Sequence, residues 1–170
     1  LKKYDLSNLN ETEVMELIDY EKNPENIMEY QEIYNQIIST LVYETGSYRC
    51  KIEDRTHDIM YSLNIHTTPI STRFSVGLRF IGVNKQLLRL DFGDTLRHTN
   101  NQDEVDEYIV IGSHAHFNSP NDKHSKKNVI PIGDLPEFKN LKLIHDVFLE
   151  YIRYTNIKER TGSDGSGGKP

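Results

Sequence analysis

The chain has 170 residues, 36% of them hydrophobic, and carries a formal charge of −6 with a pI near 5.6. That length supports one domain with a genuine core, and no apolar run approaches the ~20 residues of a membrane helix. Its single cysteine, Cys50, excludes an internal disulfide and a multi-cysteine zinc site, and is expected as a buried, inert thiol.

Asn10 before Glu11-Thr12-Glu13 predicts a first helix to about Tyr20, with a cap residue and acids in its first turn. Asn23-Pro24-Glu25 predicts a second, from Pro24 to about Tyr43, ending near Gly46. Its Ile27, Met28, Tyr30, Tyr34, Ile37, Ile38, Leu41 and Val42 recur every three or four residues as one buried stripe. From Ser47 the period changes to two. Alternation predicts strands over 48–52, 59–65, 74–81 and 87–92, with a turn at Gly82-Val83-Asn84-Lys85. Residues 103–107 read as an acidic loop, and a strand opening at Tyr108 is expected to run on into Gly112-Ser113-His114-Ala115-His116. A polar loop over 118–128 precedes the short apolar run 129–132. Asp134 is expected to cap a last helix from Leu135 to about Tyr154, divided near Asn140.

The order predicts an α+β domain over residues 1–160. Two N-terminal helices and one C-terminal helix would flank a curved, meander-like antiparallel sheet of five or six strands. The Gly/Ser-rich residues 161–170 are expected as a flexible tail. Acidity is uneven: residues 1–58 hold 13 acids and 6 bases, whereas 59–128 hold 7 and 8. A globally acidic chain disfavours non-specific nucleic-acid binding but leaves room for a local phosphate site in its neutral middle. No apolar segment follows Lys2-Lys3, so no secretory leader is expected there, and the expected setting is cytoplasmic.

The chemistry is concentrated in R-x-D, H-x-N and G-x-H-x-H, running from Arg89 to His116. His114 and His116 are two apart and on a strand project from one face, roughly 6.5 Å apart at Cα. Gly112 would clear the approach on that face. Arg89 and Asp91 share a face by the same arithmetic, and His98 and Asn100 are expected at the rim. One reading is metal-independent phosphoryl transfer on RNA with His114 and His116 as acid and base. Arg89 would then stabilise the transition state and Asp91 orient an imidazole, with His98 beside them. Asn100, Lys123, His124, Lys126 and Lys127 would contact the nucleic acid, and no cofactor is required. A second reading is a metal site of two histidines with Asp91, or with His98 in its place. A third is a polar strand face whose histidines are satisfied by hydrogen bonds.

Over residues 59–155 these motifs, with LLRLDFG before them and a Pro-containing strand and helix after, resemble an uncharacterised family of small proteins of Gram-positive bacteria and their mobile elements. The Arg-Asp…His…His-x-His order is also similar to the TumE-like toxins of toxin–antitoxin systems. The resemblance implies defence, counter-defence or toxin activity, with RNA as partner, including a CRISPR guide RNA or its effector nuclease. It carries forward Arg89, Asp91, His98, Asn100, His114 and His116. It does not explain the acidic N-terminal helices, whose Glu25, Glu29 and Glu32 suit a non-catalytic inhibitor docking on a basic nuclease.

Overall fold

A computed structural model describes residues 1–39, 45–68, 73–93, 95–119 and 129–160. Helix α1, Glu11–Asp19, starts where the sequence says it should. Asn10 Oδ1 accepts from the Glu13 backbone N–H at 2.8 Å, and the Glu13 carboxylate accepts from the Asn10 backbone N–H at 3.1 Å, a reciprocal capping box. Strand β1, Asn23–Pro24, then replaces the expected second helix start. It pairs with Ile52 and Glu53, and the Asn23 amide donates to the Lys158 carbonyl at 2.9 Å. Pro24 has no N–H to lose at this outermost position. The cap of α2, Ile27–Ile38, is Asn26 instead, accepting from the Glu29 N–H at 3.0 Å. Tyr30 and Ile37 are buried as expected, but Met28 is 76% exposed and lies off the stripe. The described part of α2 ends at Ile38, and residues 40–43 of the expected helix lie outside the described residues.

Strands β2, Gly46–Asp54; β3, Ile59–Thr67; β4, Phe74–Phe80; and β5, Gln86–Phe92, form the antiparallel meander. The chain then leaves the sheet for a hairpin of β6, Arg97–Asn100, and β7, Tyr108–Ile111. It returns as β8, His114–Phe117, on β5, and β9, Val129–Pro131, follows on β8. The main sheet has seven strands in the order β1-β2-β3-β4-β5-β8-β9. The α+β class stands, with more strands than the alternation revealed.

Two expected boundaries move for backbone reasons. The strand thought continuous from Tyr108 to His116 breaks at Gly112, whose φ of +87° glycine tolerates best. Asn140, at φ +72°, turns the chain left-handed before the last helix. Helix α3 is therefore Ile144–Tyr154, preceded by 3-10 turns at Ile132–Asp134 and Pro136–Phe138, and Asp134 is not its cap.

The meander has two unlike faces. Cys50, Ile52, Tyr61, Leu63, Ile65, Val76, Leu78, Leu88, Leu90 and Ala115 are buried in one core with Leu17, Ile18, Tyr30, Val147, Phe148 and Tyr151 of the helices. Tyr151 donates its hydroxyl to the Leu88 carbonyl at 2.7 Å, tying α3 to the strand that carries Arg89 and Asp91. The other face presents Ser47, Arg49, Lys51, Ser62, Asn64, His66, Ser75, Arg79, Arg89 and Asp91, none of them fully buried. Among the described residues no helix is long and apolar enough to cross a membrane.

Lys22 closes the helical layer. Fully buried, its ammonium donates to the carbonyls of Ile18 at 2.8 Å, Tyr20 at 2.8 Å and Thr155 at 2.7 Å, joining the end of α1 to the end of α3. Lys22→Ala removes three charge-assisted bonds and leaves those carbonyls facing a void. Urea unfolding should show a loss of about 3 kcal/mol or more, because buried acceptors left unmade cost roughly 1–3 kcal/mol each. A change below about 1 kcal/mol would show that water replaces the ammonium without penalty.

Candidate functional site

The site is built where β5 meets β8. Register pairs Arg89 with His116 and Asp91 with His114, so the period-two alternation that buries Leu88, Leu90 and Ala115 turns these four outward together. Asp91 Oδ2 accepts from Arg89 Nη2 at 2.9 Å and from His116 Nε2 at 3.1 Å, and lies 3.3 Å from His114 Nε2. His114 and His116 are 3% and 2% exposed, so the imidazoles sit below the surface, while Asp91 is half-buried and the Arg89 side chain reaches solvent. On the opposite side of its ring, His114 Nδ1 donates to the Gly112 carbonyl at 2.8 Å. That carbonyl can only accept, so Nδ1 carries a hydrogen. Nε2 then faces the carboxylate favourably only with a second hydrogen, or a cation, between them.

His98 completes the cluster from the separate β6–β7 hairpin. Its ring centroid is 4.7 Å from that of His116, nearly perpendicular to it, and 5.7 Å from that of His114. One ring nitrogen from each of the three histidines lies within 4.8 Å of the others. The two arms of the hairpin are joined at its base: the Gly112 N–H donates to the Leu96 carbonyl at 2.8 Å, and the Gly93 N–H to Ser113 Oγ at 2.9 Å.

Electrostatics follow from this crowding. Burial alone would raise the Asp91 carboxyl, but hydrogen bonds from His114 and His116 and the Arg89 charge outweigh it and hold it well below the usual carboxylate range. Burial lowers the His116 pKa from its ordinary 6.5, Asp91 partly restores it, and the Arg89 charge lowers it again. His116 is therefore a neutral imidazole at neutral pH. With Nε2–H given to Asp91, Nδ1 is its basic nitrogen.

A cavity of about 270 Å³ opens beside the cluster, lined by Arg79, Lys85, Arg89, His98, His116 and Asn118 among others. The structure thus brings together Arg89, Asp91, His98, His114 and His116, as the motif suggested, but it arranges them differently. His98 and His116 line the cavity with Arg89, while His114 lies behind, between Asp91 and Gly112. Gly112 does not clear the face. It bends the chain so that its own carbonyl fixes His114. Asn100 is not a rim contact: it is fully buried, and its amide has no hydrogen-bond partner among the described residues. Lys123, His124, Lys126 and Lys127 lie outside the described residues, as does the 161–170 tail. Sequence reasoning missed Arg79 and Lys85, although both flank a turn that delivers β5, the Arg-Asp strand, to the site.

This site sits on an α+β scaffold whose antiparallel sheet has helices on one face and polar chemistry on the other. Residues 9–157 match the model of a family of unknown function, DUF6978, and the chain belongs to that family. No curated protein and no solved structure gives a match.

The His116 titration tests the network directly. Its imidazole resonances should titrate below 6.5. Asp91→Asn should lower that midpoint further by removing the carboxylate that favours the imidazolium, and Arg89→Gln should raise it by removing a cation. Opposite signs would mean that a different neighbour controls this ring.

Proposed function

We propose that the protein cleaves RNA at this site by histidine-based phosphoryl transfer, in the cytoplasm of a cell exposed to mobile elements. The observation that carries this reading is the shared cavity of Arg89, His98 and His116, with Asp91 holding His116 in one tautomer. His116 Nδ1 takes the proton of a ribose 2′-hydroxyl, whose oxygen attacks the adjacent phosphorus. The bond from phosphorus to the 5′-oxygen breaks, and His98 delivers the proton that this leaving oxygen needs. Products are a 2′,3′-cyclic phosphate and a 5′-hydroxyl end. Arg89 stabilises the charge on the phosphoryl oxygens: its guanidinium spends one Nη2 hydrogen on Asp91, and its buried Nε has no partner among the described residues. His114 serves as a positioning residue rather than half of the acid–base pair, because both of its ring nitrogens are engaged, Nδ1 on the Gly112 carbonyl and Nε2 beside Asp91.

One observation favours a second reading. Three imidazole nitrogens within 4.8 Å, next to a carboxylate, suit a divalent transition metal, and the His114–Gly112 bond is the kind of outer contact that orients a metal-binding imidazole. In that case the metal, rather than a histidine, activates the nucleophile.

Incubation with mixed-sequence RNA in excess EDTA separates the two. Histidine catalysis predicts cyclic-phosphate ends and continued cleavage under chelation, with His98→Ala and His116→Ala each slowing it by about 10²-fold or more, within the range typical for one general acid or base. His114→Gln should cost less than either. Cleavage abolished by EDTA and restored by zinc or manganese supports the metal centre, and no cleavage under either condition rejects both. The inhibitor alternative makes a different demand: Glu25→Lys with Glu29→Lys and Glu32→Lys should abolish function and leave the histidine variants active. All three glutamates are exposed on or beside α2, in the helical layer on the far side of the sheet from the cavity.

A further inference from the structure

The helix-free face of the sheet carries a second cavity, about 370 Å³, lined by Ser47, Arg49, Asn64, Ser75, Gly77 and Arg79 among others. It shares Arg79, Gln86 and Arg89 with the cavity beside the histidines, so the two are continuous at those side chains. Register explains its shape. Arg49 pairs with Asn64, Asn64 with Gly77, Gly77 with Arg89, and Arg89 with His116, so one cross-strand row runs from β2 to β8. At strand spacings of ~4.8 Å that row is roughly 19 Å long. Its middle is low, because Ser62, Asn64, Ser75 and Gly77 have short side chains or none. A Cβ at Gly77 would lie 3.1 Å from Arg89 Cγ and 3.4 Å from the Leu88 carbonyl oxygen, so the Arg89 stem rests directly on the Gly77 backbone. Long cations stand along the margins of this floor: Arg49 and Lys51 from β2, Arg79 from β4 and Arg89 from β5.

We propose that this trough is a binding track for single-stranded RNA, which it leads to the histidine site. The inference rests on the phosphodiester reading above and names the form of its substrate. Three observations carry it. Arg49, Lys51 and Arg79 are exposed, and none of them forms an ion pair among the described residues, so their charges stay available to an anion. Arg79 instead hydrogen-bonds Asn84, a neutral partner that holds the guanidinium without cancelling it. Lastly, the chain is acidic overall, yet this face concentrates cations, with Glu53 at one end paired to Arg55 and Asp91 at the other consumed by the site. Such a stripe on an acidic protein draws a polyanion to one place rather than binding it everywhere.

The depth of the site selects a single strand. His116 is 2% exposed, so a duplex resting on the surface cannot bring a backbone phosphate to it, whereas a single strand can follow the trough inward. His66 lines the same cavity and offers a ring surface on which an unpaired base stacks. Arg49 and Arg79 act as binding groups and take no part in the chemistry.

The test uses the full chain and a fluorescein-labelled oligouridylate with 2′-O-methyl riboses, which binds but cannot be cleaved. Fluorescence anisotropy across a salt series should give a linear fall of log K with log salt. Arg49→Glu combined with Arg79→Glu, checked for an unchanged melting temperature, should weaken binding by about tenfold or more. The salt slope should become shallower by ~0.7 for each phosphate that is no longer neutralised. With cleavable RNA, Arg49→Glu alone, which lies outside the histidine cavity, should raise KM and leave kcat close to that of the parent chain. Affinity and slope unchanged in the double variant would overturn the track. So would a duplex, or polyglutamate, that displaces the probe as well as unlabelled single strand does. The two proposals fail separately: track-dependent binding without cleavage removes the reaction and keeps the track, and cleavage indifferent to Arg49 and Arg79 removes the track and keeps the reaction.

Discussion

Oδ2 of Asp91 accepts from a guanidinium and an imidazole at once, with a second imidazole nitrogen 3.3 Å away. A carboxylate at that depth keeps its charge only because those donors surround it, and they in turn are positioned only because it is charged. Remove the charge and Arg89 loses its anchor, His116 its tautomer and His114 one of the two groups that hold its ring. Such mutual dependence ties the cluster together through charge and hydrogen bonds. It also makes the group vulnerable as a unit, since substitutions among its members will not be additive.

The network could form only because β5 and β8 are neighbours, and that adjacency is not local in the chain. Between them the backbone makes the excursion through β6 and β7, returning at Gly112. Alternation within each strand was readable from the sequence, which is why Arg89 with Asp91 and His114 with His116 emerged as same-face pairs. Pairing between the strands was not readable, because antiparallel register depends on which apolar faces meet over the helices. Leu88, Leu90 and Ala115 settle it by burying in the core shared with α3, and the outward residues follow passively.

The parts that escaped sequence reasoning share one cause. Asn23-Pro24 carries a strong helix-start signal, but Lys22 and Asn23 are held by the carbonyls of Thr155 and Lys158, far along the chain. That long-range tie overrides the local preference and moves the cap to Asn26. Residues 97–100 have no apolar alternation, so β6 was invisible, and with it the fact that His98 reaches the cavity on its own hairpin. Gly112 was given the right importance for the wrong reason: its value is a left-handed backbone, not an absent side chain. Arg49 and Arg79 fall on the solvated side of their strands by the period of two, and only register shows them sharing a trough with Arg89.

The acidic helices and the cationic sheet face can be read as one electrostatic arrangement. The excess of acids over bases sits in the first 58 residues, 13 against 6, and α1 and α2 lie on the opposite side of the sheet from the histidine cavity. A polyanion approaching the helical side is repelled, while one approaching the open face meets Arg49, Lys51 and Arg79 before it reaches Arg89. Orientation is thus imposed before contact, without a strongly basic chain that would bind nucleic acid indiscriminately. On this view the acidic N-terminal part need not be a docking surface for a protein partner. Under the proposed single-strand reading, it gives the polar face a direction toward which an incoming anion is steered.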